Sequence, residues 1–129
     1  MISNIKKEYR ATINYNRGFD LQQCGDIDGA VSAYKIAARY GATDAMSRLG
    51  TIFGDMTNGD NASKAVFWYK KGVRNGDASC AWNLAMHYAG LGRRRGYLHW
   101  LRIAAKMGNK NAILEIDDER WWKKRTKIR

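Results

Sequence analysis

The stretch KAVFWYKKGVRNG, residues 64–76, decides the fold because it has two close counterparts in the same chain. AVSAYKIAARYG at residues 30–41 and YLHWLRIAAKMG at residues 97–108 resemble it and also end on glycine. The step from the first closing glycine to the second is 35 residues, and the step to the third is 32 residues. A repeat of roughly 20 to 50 residues is typical of proteins that stack similar structural units.

Apolar and small residues recur within each unit at the spacing of one helix face. In the middle unit they occupy i, i+3, i+4 and i+7 of a first helix and of a second. These positions are Met46, Leu49, Gly50 and Phe53, followed by Ala65, Trp68, Tyr69 and Gly72. Each unit is therefore predicted to be a helical hairpin, and Gly41, Gly76 and Gly108 are predicted to end helices as left-handed C-caps.

The pattern predicts an all-α fold, an α/α superhelical solenoid of about three helix-turn-helix repeats with a C-terminal capping helix. The predicted repeats cover about residues 5–41, 42–76 and 77–108, the cap covers 109–123, and residues 1–123 form one domain before a basic tail at 124–129. Helices are expected near residues 5–23, 27–40, 43–54, 62–75, 78–89, 95–107 and 110–123. The aromatic residues that repeat at matching positions, Tyr34, Tyr69, Trp68 and Trp100, are expected in the core.

Two strings in the middle unit are similar to a known family. Ala45-xxx-Leu49-Gly50-xx-Phe53 and Lys64-Ala65-xx-Trp68-Tyr69-Lys70-Lys71-Gly72-xxx-Gly76 resemble the Sel1-like repeat, a relative of the tetratricopeptide repeat (TPR). The similarity covers roughly residues 10 to 120. It implies an α/α superhelix that binds other proteins and performs no chemistry.

The resemblance also implies where a partner would bind. In TPR-like superhelices the first helix of each pair lines the concave groove. The positions that map to this groove and form the predicted partner-binding site are Tyr15, Phe19, Ser47, Thr51, Trp82, Met86, Asp118 and Trp121; Asp55, Ser79, Asn111 and Leu114 map there as well. Trp82 and Met86 are the best anchors, although a register shifted by one residue would bury Trp82 in the core.

The net charge of +11 and the pI near 9.9 suit an acidic protein, a nucleic acid or lipid headgroups, and a protein with an acidic surface is the expected partner. A basic steering patch is predicted from Arg93, Arg94, Arg95, Lys123, Lys124 and Arg125. Cations at the start of a helix oppose its dipole by about 0.3 to 1 kcal/mol each, so helix stability does not explain the arginine triplet. A solvated, frayed end is the alternative explanation for the basic tail.

Catalysis and metal binding have little support in the sequence. His87 and His99 are the two histidines, and neither has a ligand four residues later that would make a zinc-type pair. Phosphate loops, nucleophile elbows and Cys/His dyads are not found. The chain is therefore predicted not to be an enzyme and to use no cofactor.

Three functions remain open for a protein of this kind. The main prediction is a protein-binding module, most concretely a bacterial immunity or inhibitor protein that neutralises a cognate toxin. A general scaffold or regulatory adaptor is the first alternative, and a nucleic-acid-binding protein that uses its basic surface and Trp-rich tail is the second. The two cysteines, Cys24 and Cys80, are expected to be reduced core residues, and the chain is expected to be cytoplasmic without a membrane segment.

Overall fold

The structure, a computed structural model, describes residues 2–56 and 60–117 and is all-α in those ranges. Its helices are α1 (Ile2–Gln23), α2 (Ile27–Arg39), α3 (Thr43–Asp55), α4 (Asn61–Arg74), α5 (Ala78–Gly90), α6 (Arg94–Lys106) and α7 (Lys110–Asp117). Consecutive helices pack in pairs: α1 on α2, α3 on α4, and α5 on α6. The predicted all-α class of helical hairpins is confirmed.

The predicted helix ends agree closely with the structure. From α2 to α6 every end lies within one residue of its expected position, and α1 begins three residues earlier than expected. For α7 the predicted residues 118–123 lie outside the described part of the chain. The agreement follows from the turns, where Gly41 has φ +92° and the Ala42 N–H donates to the Ala37 carbonyl at 3.1 Å. This is the C-cap geometry that the closing glycines predict.

The helices fall into two compact units. The first ends at Asn75 and contains α1 to α4, with α2 also packed on α3. The second begins at Gly76 and contains α5, α6 and α7, with α7 packed on α6. The boundary lies one residue before the expected start of the third repeat at residue 77. The repeat bounds and a single domain over 1–123 stay predictions.

Close helix packing in the first unit depends on a glycine opposite a tyrosine ring. A Cβ on Gly18 would lie 2.6 Å from Cδ1 of Tyr34, and a Cβ on Gly50 would lie 2.5 Å from Cδ1 of Tyr69. All four residues are buried. The glycines therefore allow the rings to fill the space between paired helices, which is the role that their repetition predicts.

Two residues that were expected in the core are only partly buried. Trp68 and Trp100 are half-buried, whereas the adjacent Tyr69 and Leu101 are buried. Successive residues of a helix point about 100° apart, so the two neighbours cannot both face the paired helix. The prediction was also wrong for Cys24, which is exposed; Cys80 is buried, and both cysteines are free thiols.

Candidate functional site

Arg48 of α3 brings together two of the predicted partner-binding residues of α1. Its Nε donates a hydrogen bond to the Tyr15 hydroxyl at 3.3 Å. Its guanidinium carbon lies 5.4 Å from the centroid of the Phe19 ring, a cation–π distance. We call Tyr15, Phe19 and Arg48 the Arg48 cluster. Tyr15 and Arg48 are half-buried and Phe19 is 37% exposed, so the cluster is held in place while facing solvent.

The Arg48 cluster lies against buried Tyr34. The rings of Tyr15 and Tyr34 are tilted, with centroids 5.6 Å apart, and the Tyr34 hydroxyl donates to Gln22 Oε1 at 2.8 Å. Burial raises the pKa of Tyr34, and the nearby Arg48 charge lowers it by a smaller amount. The hydrogen bond to Tyr15 raises the pKa of Arg48. The cluster therefore presents a permanent positive charge beside an aromatic ring.

Ser47 and Thr51, also predicted for partner binding, lie one turn apart on α3 to either side of Arg48. Ser47 is half-buried and Thr51 is exposed. Thr51 Oγ1 lies 2.9 Å from the Tyr69 hydroxyl, so Thr51 holds the ring that packs against Gly50. Sequence reasoning missed Arg48 itself. Arg48 lies three residues before Thr51 and is therefore its neighbour on the helix surface, which is the signal that could have identified it.

The two predicted anchors in the second unit are half-buried. Trp82 and Met86 lie one turn apart on α5, and neither belongs to the fully buried core. Asp118 and Trp121 lie outside the described residues. The wider set, Asp55, Ser79, Asn111 and Leu114, is exposed throughout. Their assignment to partner binding stays a prediction.

The arginine triplet lines a pocket of about 600 Å³ at the start of α6. Arg93, Arg94 and Arg95 are exposed there, and half-buried Tyr88 and Trp100 line the same pocket. A Cβ on Gly96 would lie 2.7 Å from Cγ of Tyr88, so glycine lets the Tyr88 ring approach the α6 backbone. Lys123, Lys124 and Arg125, the remaining members of the predicted patch, lie outside the described residues.

A second pocket of about 350 Å³ continues along α6. It shares Arg95 and His99 with the first pocket and adds Leu98, Arg102, Ile103 and Lys106. None of the described residues that line the two pockets is acidic. This surface is therefore cationic along the length of the helix.

His87 lies close to Arg93, and its side chain is half-buried. Its Nε2 is buried and has no hydrogen-bond partner among the described residues. Burial lowers the pKa of His87, and the positive charge of Arg93 lowers it further. Both effects favour the neutral imidazole over the charged one.

A third pocket, of about 420 Å³, lies in the first unit between α1 and the turn from α2 to α3. Glu8, Tyr15, Tyr40 and Asp44 are among its lining residues, and Arg10 donates a hydrogen bond to the Tyr40 hydroxyl at 3.3 Å.

In the described part of the chain, no group of three or more His, Cys, Asp or Glu side chains is placed to hold a metal ion. The helices described there also lack the length and apolar character needed to cross a bilayer.

Part of the chain is similar to a known protein. Chitin synthase regulatory factor 4 of Schizosaccharomyces pombe is 33% identical over 86 residues, which is 66% of this chain. The match covers 13% of that protein, so the chain corresponds to a small part of its relative. No family model matches the chain.

Proposed function

We propose that this chain is a non-catalytic adaptor or regulatory module that binds a partner protein on the face of α1 and α3 that carries the Arg48 cluster. The observation that carries the proposal is that Arg48 holds Tyr15 and Phe19 in place while Phe19 stays exposed. Tyrosine and arginine are enriched among the residues that dominate binding energy at interfaces. Side chains that are already ordered lose less conformational entropy when they bind.

The name of the relative supports a role of this kind. The relative is named as a regulatory factor of chitin synthase, and a regulatory role for this chain would use a surface of its paired helices to contact another protein. The membership in the Sel1-like family that the sequence resemblance implies would also favour protein binding. A lack of enzymatic activity is part of the same proposal.

The proposal can be tested with two matched phenylalanine variants. Phe19 is on α1 in the Arg48 cluster, whereas Phe67 is 52% exposed on α4 of the same unit. Immobilised wild-type chain would capture proteins from an extract of its own organism, and the binding of the captured partner would then be measured by calorimetry. We expect the partner to bind wild type and Phe67→Ala, and to bind Phe19→Ala at least about tenfold more weakly.

Circular dichroism and thermal unfolding would show that both variants keep the fold. Equal binding by Phe19→Ala and Phe67→Ala would contradict the assignment of the surface. Capture of nucleic acid alone, removed by nuclease treatment, would contradict the adaptor function.

A narrower form of the proposal is that the partner is a bacterial toxin and that the chain is its cytoplasmic immunity protein. This form rests on the sequence resemblance alone. Expression of the captured partner would then arrest growth, and co-expression of the chain would restore it. If the captured partner is not toxic, the immunity form is excluded and the scaffold or regulatory adaptor form is retained.

Nucleic-acid binding is a second candidate because of one charge pattern. Residues 78–110 contain Arg93, Arg94, Arg95, Arg102, Lys106 and Lys110 and no Asp or Glu. Binding to phosphates would weaken steeply with added salt, since each neutralised phosphate releases condensed counterions. Binding through the Arg48 cluster would change less. A titration between about 50 and 200 mM salt separates the two candidates.

A further inference from the structure

The two pockets along α6 can be considered together because they share Arg95 and His99. We call this surface the α6 groove. Its cationic side chains, Arg93, Arg94, Arg95, Arg102 and Lys106, are exposed, whereas the apolar side chains that line it, Tyr88, Leu98, Trp100 and Ile103, are half-buried. The surface therefore combines an apolar floor with an exposed positive margin.

We propose that the α6 groove binds an extended acidic segment of a partner protein, with carboxylates on the arginines and an apolar side chain on the floor. The inference rests on the proposed function insofar as the partner is a protein, but it uses a surface distinct from the Arg48 cluster. The opposite charges supply the recognition, since the described residues that line the groove include five cations and no carboxylate.

Arginine side chains can recognise a carboxylate by its geometry, which a diffuse positive charge cannot do. The guanidinium presents its donors in a planar fork that matches the two oxygens of a carboxylate. Three adjacent guanidiniums can therefore fix the position of acidic side chains as well as attract them. This distinguishes a binding site from a patch that only raises the rate of encounter.

The dimensions indicate a short extended peptide. α6 has 13 residues and so measures about 20 Å. An extended chain rises about 3.3 Å per residue, so a segment of about six residues spans the helix. Alternate side chains of an extended segment point to opposite sides, which allows an apolar residue to face the floor while its neighbours remain at the margin.

The apolar floor favours a peptide over a nucleic acid. Leu98 and Ile103 offer aliphatic surface in the part of the groove that contains Arg102 and Lys106. The phosphates of a nucleic acid would use the cations and its bases would stack on Tyr88 and Trp100, but neither would cover this aliphatic surface. An aliphatic or aromatic side chain of a peptide would cover it, at about 25 cal/mol for each Å² removed from water.

The test uses a fluorescent peptide of about six residues with glutamates on both sides of a single phenylalanine. We expect the double variant Arg94→Glu/Arg95→Glu to weaken binding by at least about tenfold. Lys6→Glu/Lys7→Glu is the matched control, because it makes the same change of charge at exposed positions of α1. This control should bind within about twofold of wild type, since neither lysine lines the α6 groove.

Misfolding would not produce the same result. Glutamates in the first turn of α6 interact favourably with the helix dipole, so the thermal stability of Arg94→Glu/Arg95→Glu should be retained or raised while its affinity falls. Phe19→Ala should bind the peptide as wild type does. If partner binding at the Arg48 cluster were disproved, the peptide-binding result for the α6 groove would therefore still stand.

The apolar part of the proposal is tested with Trp100→Leu and a second peptide in which alanine replaces the phenylalanine. Trp100→Leu should weaken binding of the phenylalanine peptide severalfold and have little effect on the alanine peptide. Such a difference shows that Trp100 contacts the phenylalanine, because a structural effect of the substitution would weaken binding of both peptides equally. Equal binding by the two charge-reversed double variants would overturn the proposal. Tighter binding of a single-stranded RNA of equal charge, lost in Arg94→Glu/Arg95→Glu, would overturn it in favour of nucleic acid.

Discussion

The ring of Tyr69 on α4 occupies the space that a side chain at Gly50 on α3 would need. A Cβ at Gly50 would lie 2.5 Å from Cδ1 of Tyr69, and the Tyr69 hydroxyl is held at 2.9 Å from Thr51 Oγ1. Because the ring is buried and fixed at its far end, it cannot move aside without the loss of these contacts. The same relationship joins Gly18 to Tyr34 in the preceding hairpin.

Gly50→Ala is therefore expected to destabilise the protein by about 1 to 3 kcal/mol through overpacking, despite the better helix propensity of alanine. Gly90 at the end of α5 is the matched control, since a Cβ there would meet no atom within 4 Å. Gly90→Ala should stabilise by roughly 0.5 to 1 kcal/mol. Urea unfolding measures both changes, and a stabilised Gly50→Ala would show that α3 and α4 are not held this closely.

Arg48→Met should cost about 1 kcal/mol of stability, because it removes the hydrogen bond to Tyr15 and the cation–π contact with Phe19. Arg48→Lys should recover little of this loss, since the lysine ammonium lacks the planar fork of guanidinium. Arg17→Met, at an exposed position of α1, serves as control and should change stability by less than about 0.5 kcal/mol. Full recovery by lysine would mean that charge alone matters.

His87 should make the protein less stable in mild acid. Burial and the charge of Arg93 lower the pKa of His87 from its ordinary value of 6.5. Between the folded pKa and 6.5 the unfolded chain binds more protons, so the free energy of unfolding falls as pH drops through 6.5 and levels off below the folded pKa.

Thermal unfolding between about pH 7 and pH 5 would reveal this effect in a comparison of wild type with His87→Phe. The phenylalanine keeps a ring beside Tyr88 and removes the buried Nε2. We expect His87→Phe to lose less stability than wild type when the pH falls. The difference should be less than about 1 kcal/mol, because the His87 side chain is partly exposed. His99→Asn, at an exposed position, is the control. An identical pH profile for wild type and His87→Phe would contradict the prediction.

Tyr97 should anchor α7 to α6. The Tyr97 hydroxyl donates to Glu115 Oε2 at 2.6 Å, and the pKa of Tyr97 is raised first by burial and then by Glu115. Tyr97→Phe should cost about 1 kcal/mol and speed amide exchange in α7, whereas Glu115→Gln keeps an acceptor and should cost less. If Tyr97→Phe left exchange in α7 unchanged, the apolar contacts of Ala112 would be the main anchor.

Much of the fold was predictable because the repeated pattern is local. A helix needs only an apolar stripe and a stop signal, and both are visible in the spacing before Gly41 and Gly108. Burial was harder to predict. Trp68 and Tyr69 are adjacent, of similar size and both repeated, and only the packing of α3 on α4 shows that the tyrosine faces the partner helix.

The candidate sites show the same limit. The arginine triplet is evident from the sequence, because three adjacent cations at a helix start oppose the dipole. The remainder of the α6 groove depends on how close Tyr88 approaches Gly96, a contact made across a turn. Arg48 gave no signal by itself, since an arginine on a mixed helix face is ordinary until Tyr15 and Phe19 are placed beside it.

The sequence by itself determined the helices, their ends and their pairing, because backbone hydrogen bonds and helix periodicity act over a few residues. Only the tertiary structure decided which aromatic rings are buried and which charged groups meet aromatic ones. Those outcomes depend on contacts between residues some 30 positions apart, such as Tyr15 and Arg48. Close packing between helices selects among side chains that a local pattern cannot distinguish.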